Sequence, residues 1–178
     1  VQAKKPDAVF VFLPGGMGIN FIKQFSGAGL AKDTQLVLPG FSADEDTIKP
    51  VGAALLGTIN LSQWAHDLDN PQNKKFVDDF VKEFKRLPSM YASQGYDTGQ
   101  LIDSAIRGAK GKLDNPDAIR KALEAADFKS VRGAFKFNKN HYPIQDYYLR
   151  VVRKDEQGRI TNRTIGKIFE RQADPFAA

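Results

Sequence analysis

The sequence predicts an α/β fold built on a parallel sheet, and three observations carry that reading. Ala8-Val-Phe-Val-Phe-Leu13 is a run of six apolar residues rich in β-branched and aromatic types, which reads as a strand buried on both faces. It runs straight into the glycine loop Pro14-Gly15-Gly16-Met17-Gly18, then into residues 19–25, where Phe21, Ile22 and Phe25 share one side of a helix. A second strand with its own loop follows at Thr34-Gln-Leu-Val-Leu-Pro39-Gly40-Phe41-Ser42. Strand, glycine loop and helix together set backbone N–H groups at the carboxyl end of a sheet, where open α/β folds bind ligands.

The remaining elements follow in order. A short helical turn spans residues 46–54 and a third strand residues 57–61, which completes a β-α-β-α-β unit. Ser62-Gln-Trp64-Ala-His66-Asp-Leu-Asp-Asn70-Pro71 is polar and turn-prone and reads as a linker. Phe76, Val77, Phe80, Val81 and Phe84 then recur at helical spacing, in a helix that stops before Pro88. A further helix over residues 98–109 turns Leu101, Ile102, Ala105 and Ile106 inward. Asp114-Asn115-Pro116 supplies a cap followed by proline at the first helical position, and the helix it opens buries Ile119, Ala122, Leu123 and Ala126. After Gly133 the period becomes two, in Ala134-Phe-Lys-Phe137 and in Tyr147-Tyr-Leu-Arg-Val-Val152. A turn at Asp155-Glu-Gln-Gly158 leads to a last strand over residues 160–168, completing a hairpin.

At 178 residues and 42% hydrophobic, the chain can bury a substantial core. It has no cysteine, which excludes disulfides and thiolate metal sites. The formal charge is +5, but Lys and Arg are scattered among Asp and Glu, with no basic run alternating with aromatics, so nucleic acid is not an expected partner. No stretch approaches the roughly 20 apolar residues of a membrane-spanning helix. Val1-Gln-Ala-Lys-Lys-Pro6 leads directly into a sheet strand, a start that reads as processed or truncated.

The glycine loop departs from a dinucleotide fingerprint. Phe21 stands where the third glycine belongs, and the strand over residues 35–38 does not end in an acid that would hold a ribose. No Gly-Lys-Ser/Thr follows, so it is not a Walker loop either. His66 and His141 lack helical i+4 partners for a metal, and Ser42, Ser62, Ser93 and Ser104 lack a nucleophile-elbow context. Asp67 and Asp69 read as linker and helix-start residues. No catalytic residue, metal or cofactor is called for, and a binding module fits better than an enzyme. Phe41, Trp64, Tyr91 and Tyr96 stand in polar or turn contexts. They have two readings, packing at a domain junction or walls of a pocket for a flat or apolar ligand.

Several longer motifs occur together in one order and spacing. They are Lys5-Pro-Asp-Ala-Val-Phe-Val-Phe with its glycine loop, Gly27-Ala-Gly29-Leu with Thr34-Gln, and Asp67-Leu-Asp-Asn-Pro opening the Phe76 helix. Tyr91-Ala-Ser-Gln-Gly-Tyr-Asp97, Arg132-Gly-Ala-Phe-Lys-Phe137 and His141-Tyr-Pro-Ile-Gln-Asp-Tyr-Tyr148 follow. With these the chain resembles the type I periplasmic solute-binding proteins of ABC importers, in the branched-chain amino acid (Leu/Ile/Val) group. The resemblance covers essentially the whole chain. It implies a type I periplasmic binding protein fold, two Rossmann-like α/β lobes with parallel sheets joined by a three-strand hinge. Such proteins are roughly twice this length, and this chain supplies the C-terminal half.

By that resemblance residues 1–62 belong to the second lobe, residues 63–145 return to the first, and residues 146–178 form a terminal hairpin back in the second. The implied partners are the transmembrane subunits of an ABC permease, a small carboxylate ligand, and the missing N-terminal half of the same protein. Without that half, Phe76, Phe80 and Phe84 would lack the sheet they cover. The implied location is the periplasm, or a lipid anchor outside a Gram-positive cell.

The resemblance also implies the site. Leu13, Pro14, Gly15 and Gly16 fall where amino-acid binders present an aromatic to the ligand, and Tyr91 falls on a contact position. Gly40 and Phe41, with Trp64 and Tyr96, complete the expected cleft. Amino-acid binders carry a glutamate where this chain has Gly40, and it pairs with the ligand's ammonium. Its absence turns the expectation toward an aromatic carboxylate, such as a benzoate or phenylpropanoid acid, held in part by the Gly15 and Gly16 amides. Branched-chain amino acid binding is the alternative within the fold, and a nucleotide-binding oxidoreductase or regulator the more distant one. Trp64 is expected to line the site, so that Trp64→Ala weakens binding and leaves the melting temperature unchanged.

Overall fold

The computed structural model describes residues 1–177. Strands β1 (Ala8–Phe10), β2 (Gln35–Pro39) and β3 (Ile59–Ser62) lie side by side in parallel, with Phe10 opposite Val37 and Val37 opposite Ile59. Helix α1 (Gly15–Gly27) connects the first two, while α2 (Glu45–Val51) and a 3₁₀ turn connect the second and third. Strand β5 (Pro143–Lys154) then adds to β3 in the antiparallel sense, and β6 (Ile160–Gln172) folds back on β5. A two-residue strand, β4 (Lys136–Phe137), pairs with the first residues of β5. One sheet thus unites the first third of the chain with its last hairpin.

The alternation within each strand decides which face is filled. Val9, Val11, Leu36, Leu38 and Val152 point to one side and pack on Ile22, Phe25, Ile48 and Leu55. Fully burying each such side chain contributes roughly 1.5–3 kcal/mol. The other face is uncovered among the described residues. Phe10 and Phe12 are 66% and 64% exposed, and Val37, Ile59, Leu61, Leu149 and Val151 are only half-buried. The first strand is therefore buried on one face, not two. A continuous apolar run cannot be told from an alternating one when both faces carry hydrophobic residues.

A second core forms around Trp64, Phe76, Met90 and Val131. Helix α3 (Pro71–Phe84) starts where Asn70 accepts the Asn73 amide and Pro71 takes the first helical position. Helix α4 (Met90–Gly108) is longer than its apolar pattern predicts, because Ser89 caps it by accepting the Ala92 amide. Its inner side is Ser93, Asp97, Ser104 and Ala105, whereas Ile102 and Ile106, expected inside, are 51% and 41% exposed. Helix α5 (Pro116–Ala125) begins as expected, with the Asn115 side chain accepting the Ala118 amide. The expectation that Phe76 lacks cover is corrected here: it is 4% exposed, with the Trp64 ring edge-on to it and the Tyr96 ring tilted against it, and Phe84 at the far end of α3 is the exposed ring.

The segment read as a linker is tightly held. Trp64 and Ala65 are buried, and the Asn73 side-chain amide donates to the carbonyls of Ala65, His66 and Leu68 at 3.1–3.2 Å. One asparagine on α3 thus braces three carbonyls of the segment, two of which, Ala65 and Leu68, also accept backbone amides of the turn.

Candidate ligand site

Parallel pairing sets the loops after β1 and β2 next to one another. Gly18 allows the chain to double back after Leu13, since a Cβ there would lie 2.2 Å from the Leu13 carbonyl oxygen. Pro14 is the N-cap of α1 and offers no side-chain acceptor, so the amides of an exposed first turn, Gly15 and Gly16 included, carry the positive end of the helix. The Ser42 hydroxyl donates to the Leu13 carbonyl at 3.1 Å and ties the second loop to the first. The rings of Phe12 and Phe41 meet edge to face, 5.0 Å apart.

Gly40 is hemmed in at the end of β2. A Cβ there would lie 2.7 Å from the Leu61 carbonyl oxygen and 2.9 Å from the Ser62 Cβ. Backbone on one side and a buried serine on the other leave no room for a side chain. The loop is built around the absence of one.

The structure brings the expected residues together unequally. Leu13, Pro14, Gly15, Gly16, Gly40 and Phe41 share the paired loops. Trp64 lies behind Phe41 and is 1% exposed, its indole N–H donating to Asn73 Oδ1 at 2.7 Å and its ring against Phe76. Enclosed in this way, Trp64 is a core residue of the unliganded fold, which overturns the expectation that its loss leaves the melting temperature unchanged. Tyr91 and Tyr96 sit on α4 and not in a loop. Tyr96 lies tilted against Phe76 with ring centres 4.8 Å apart, and Tyr91, 56% exposed, adjoins Met90.

Sequence reasoning missed Phe12, Ser42 and a buried polar group beneath the loops. Asp44 accepts the Met90 amide with both carboxylate oxygens, at 3.0 and 3.2 Å, and so joins the segment after β2 to the start of α4. Arg150 of β5 donates to Asn60, Trp64 and Gly40, and Asn60 in turn to Asn162 of β6. The signal was present: Asn60 interrupts an apolar strand, and Arg150 shares the inward period of Val152. Among the described residues, no three His, Asp or Glu side chains converge as metal ligands. An open recess of about 420 Å³ is lined by Leu61, which abuts Gly40, and by Tyr142, Gln145, Tyr147 and Phe169 among others.

Burial pushes the Asp44 carboxyl up to about 6, against the pull of the Met90 amide and the Arg150 charge, with Glu45 adding to the rise. The folded chain therefore holds this proton more tightly than the unfolded chain. Asp44 contributes most to stability in acid, and that contribution declines as the pH rises from 3.8 towards 6. Asn keeps one acceptor for the Met90 amide and carries no charge. Asp44→Asn should accordingly gain about 2–3 kcal/mol on the wild type between pH 4 and pH 7.5. Urea titrations of both proteins at the two pH values measure it, and parallel pH curves would show that Asp44 is ionised at no net cost.

A family model described as periplasmic binding protein matches residues 1–157. The chain belongs to the periplasmic binding protein family. This periplasmic binding protein is 31% identical over 172 residues to the Leu/Ile/Val-binding protein homolog 6 of Brucella melitensis, covering 94% of itself and 44% of that relative. It spans about half the length of the curated relatives it matches. A solute-binding protein of an ABC transporter from R. palustris, solved with benzoate, superposes with a TM-score of 0.87 at 34% identity, over 97% of this chain and 46% of that one. One from Rhodopseudomonas palustris BisB5, solved with 3,4-dihydroxybenzoic acid, gives 0.82 at 33% identity, over 98% and 48%. A leucine-binding protein of Thermotoga maritima, at 18% identity and a TM-score of 0.78 over 94% and 46%, shares the fold. The family is one of solute-binding proteins and not an enzyme class, and membership implies an extracytoplasmic location. Among the described residues, no helix is long and apolar enough to cross a membrane.

Proposed function

We propose that this chain is half of the substrate-binding component of an ABC importer, which captures a small aromatic carboxylate between two lobes and delivers it to the permease. Residues 1–62 and 146–178 belong to one lobe, an assignment supported by the pairing of β3 with β5 and of β5 with β6. Residues 63–145, with α3 to α5, belong to the other. The rest of the full-length protein packs on the uncovered face of the sheet around Phe10, Val37 and Ile59.

The observation that carries the reading is Gly40. At that position amino-acid binders resembling this family place a glutamate for the ligand's ammonium, and here no side chain fits. A buried ammonium without its counter-charge would lose several kcal/mol. What the loops do offer suits an aromatic acid: the uncapped amides of α1 for a carboxylate or ring hydroxyl, and the Phe12–Phe41 pair as an apolar wall. Relatives solved with benzoate and with 3,4-dihydroxybenzoic acid support the same class. Leu13, Pro14, Gly15, Gly16, Gly40 and Phe41 make the near wall of the cleft. Tyr91 and Tyr96 face it from α4, and Trp64 backs Phe41.

Calorimetry on the full-length protein tests this. Benzoate or 4-hydroxybenzoate should bind in the micromolar range or tighter, and leucine should give no heat. The name of the Brucella relatives favours a second reading, branched-chain amino acids, and tight leucine binding with no response to either benzoate would establish it. Location in the periplasm or on a lipid anchor, and docking on permease subunits, follow from the same reading.

A further inference from the structure

We propose that Arg150 is the positioning residue of the ligand site: it holds the Gly40–Phe41 loop and the Trp64 crossover at a fixed separation without touching ligand. The proposal rests on the reading of those loops as ligand-facing. Arg150 is 1% exposed on β5, and its guanidinium spreads over three chain segments. Nε donates to the Asn60 side chain at 2.7 Å, one terminal nitrogen to the Trp64 carbonyl at 3.0 Å, and the other to the Gly40 carbonyl at 3.3 Å. Asn60 passes the linkage on to Asn162 at 2.7 Å, and Asn162 donates to the Ala43 carbonyl at 2.7 Å. Backbone on both sides of Phe41 is thus pinned to β5 and β6, through carbonyls that no sheet ladder engages.

The choice of residue is informative. A planar guanidinium carries its donors on three separate nitrogens in fixed directions, whereas a lysine ammonium carries its three on one atom and cannot span the same three acceptors. Among the described residues no carboxylate lies within salt-bridge distance of it, so a full charge is buried against neutral acceptors, in the field of Asp44, Glu45 and Asp67. An apolar side chain of similar volume is commonly the more stable choice at such a place. What it would lose is the geometry, because the three segments would no longer be tied.

The test compares Arg150→Lys, which keeps the charge and loses the fork, with Val152→Ala, a buried apolar neighbour on β5 that makes no side-chain hydrogen bond to either loop. In the full-length protein Arg150→Lys should weaken 4-hydroxybenzoate binding by about 10- to 100-fold. Val152→Ala should lower the melting temperature and keep affinity within about threefold. Amide exchange over residues 40–43 and 64–66 should rise in Arg150→Lys and stay low in Val152→Ala. If Arg150→Lys binds like the wild type with unchanged exchange, or Val152→Ala loses as much affinity, positioning by Arg150 is overturned. Should the wild type bind no benzoate at all, the ligand reading fails, and the exchange comparison alone decides the role of Arg150. Asn60→Ser, which removes one anchor and leaves the guanidinium in place, repeats the comparison at lower amplitude if Arg150→Lys does not fold.

Discussion

Replacing Trp64 with alanine is expected to lower the stability of the unliganded protein by about 3–5 kcal/mol. The indole fills the centre of the second core, against Phe76, Met90, Val131 and Phe41. Its N–H also occupies Asn73 Oδ1, and Asn73 holds the carbonyls of Ala65, His66 and Leu68 through its amide. Removing the ring opens a cavity and orphans a buried acceptor in one step. Trp64→Phe separates the two contributions: most of the volume remains, the acceptor is still unpaired, and the loss should be about 1–3 kcal/mol. Urea denaturation of the three proteins checks both values, and an alanine variant that melts with the wild type would show that the cluster collapses around the gap.

The second large effect is expected at Asp97 on α4, which is 2% exposed. Its carboxylate accepts the Ser130 hydroxyl at 2.5 Å, the Val131 amide at 3.0 Å and Arg132 Nε at 3.0 Å. Arg132 continues to Gln145 Oε1 at 2.8 Å and lies over the Phe135 ring at 4.5 Å. The group fastens the turn before β4 to α4 and to the start of β5. Asp97→Ala leaves a largely buried guanidinium and a buried hydroxyl without their acceptor, at a cost of about 3–5 kcal/mol. Asp97→Ala combined with Arg132→Met removes both charges and should recover a large part of that loss. Additive losses in the double variant would mean that the two residues act separately.

Much of this architecture was readable because local chemistry and tertiary structure agree. Asn115-Pro116 starts a helix, the turn at Gly158 reverses a hairpin, and the glycine loop leads from strand to helix. Parallel pairing of the first strands was expected from apolar runs read as buried on both faces, and the pairing is found although one face is uncovered among the described residues. Where reading failed, long-range packing outweighed local pattern. Trp64 lies in a polar, turn-prone segment, yet Asn73 and the α3 rings enclose it. Tyr91 and Tyr96 stand among Gly, Ser and Gln, a weak helix pattern that Ser89 nonetheless starts cleanly. Ile102 and Ile106 carry the apolar period of α4, but the polar side of that helix holds Asp97, and Asp97 has to face Ser130. The candidate loops were recognisable from glycines and family likeness, whereas the polar framework beneath them joins Asn60 to residues 90 and 102 positions away. No window of sequence contains such a linkage.

That separation also bears on when the protein can fold. A chain leaves the ribosome N-terminus first. Until β5 and β6 emerge, β3 has β2 on one edge only, and the carbonyls of Gly40 and Trp64 have no donor. Contacts of such long sequence separation form slowly even once both partners exist. The closing hairpin therefore sets the moment at which the parallel strands, already able to pair among themselves, gain the antiparallel half of their sheet.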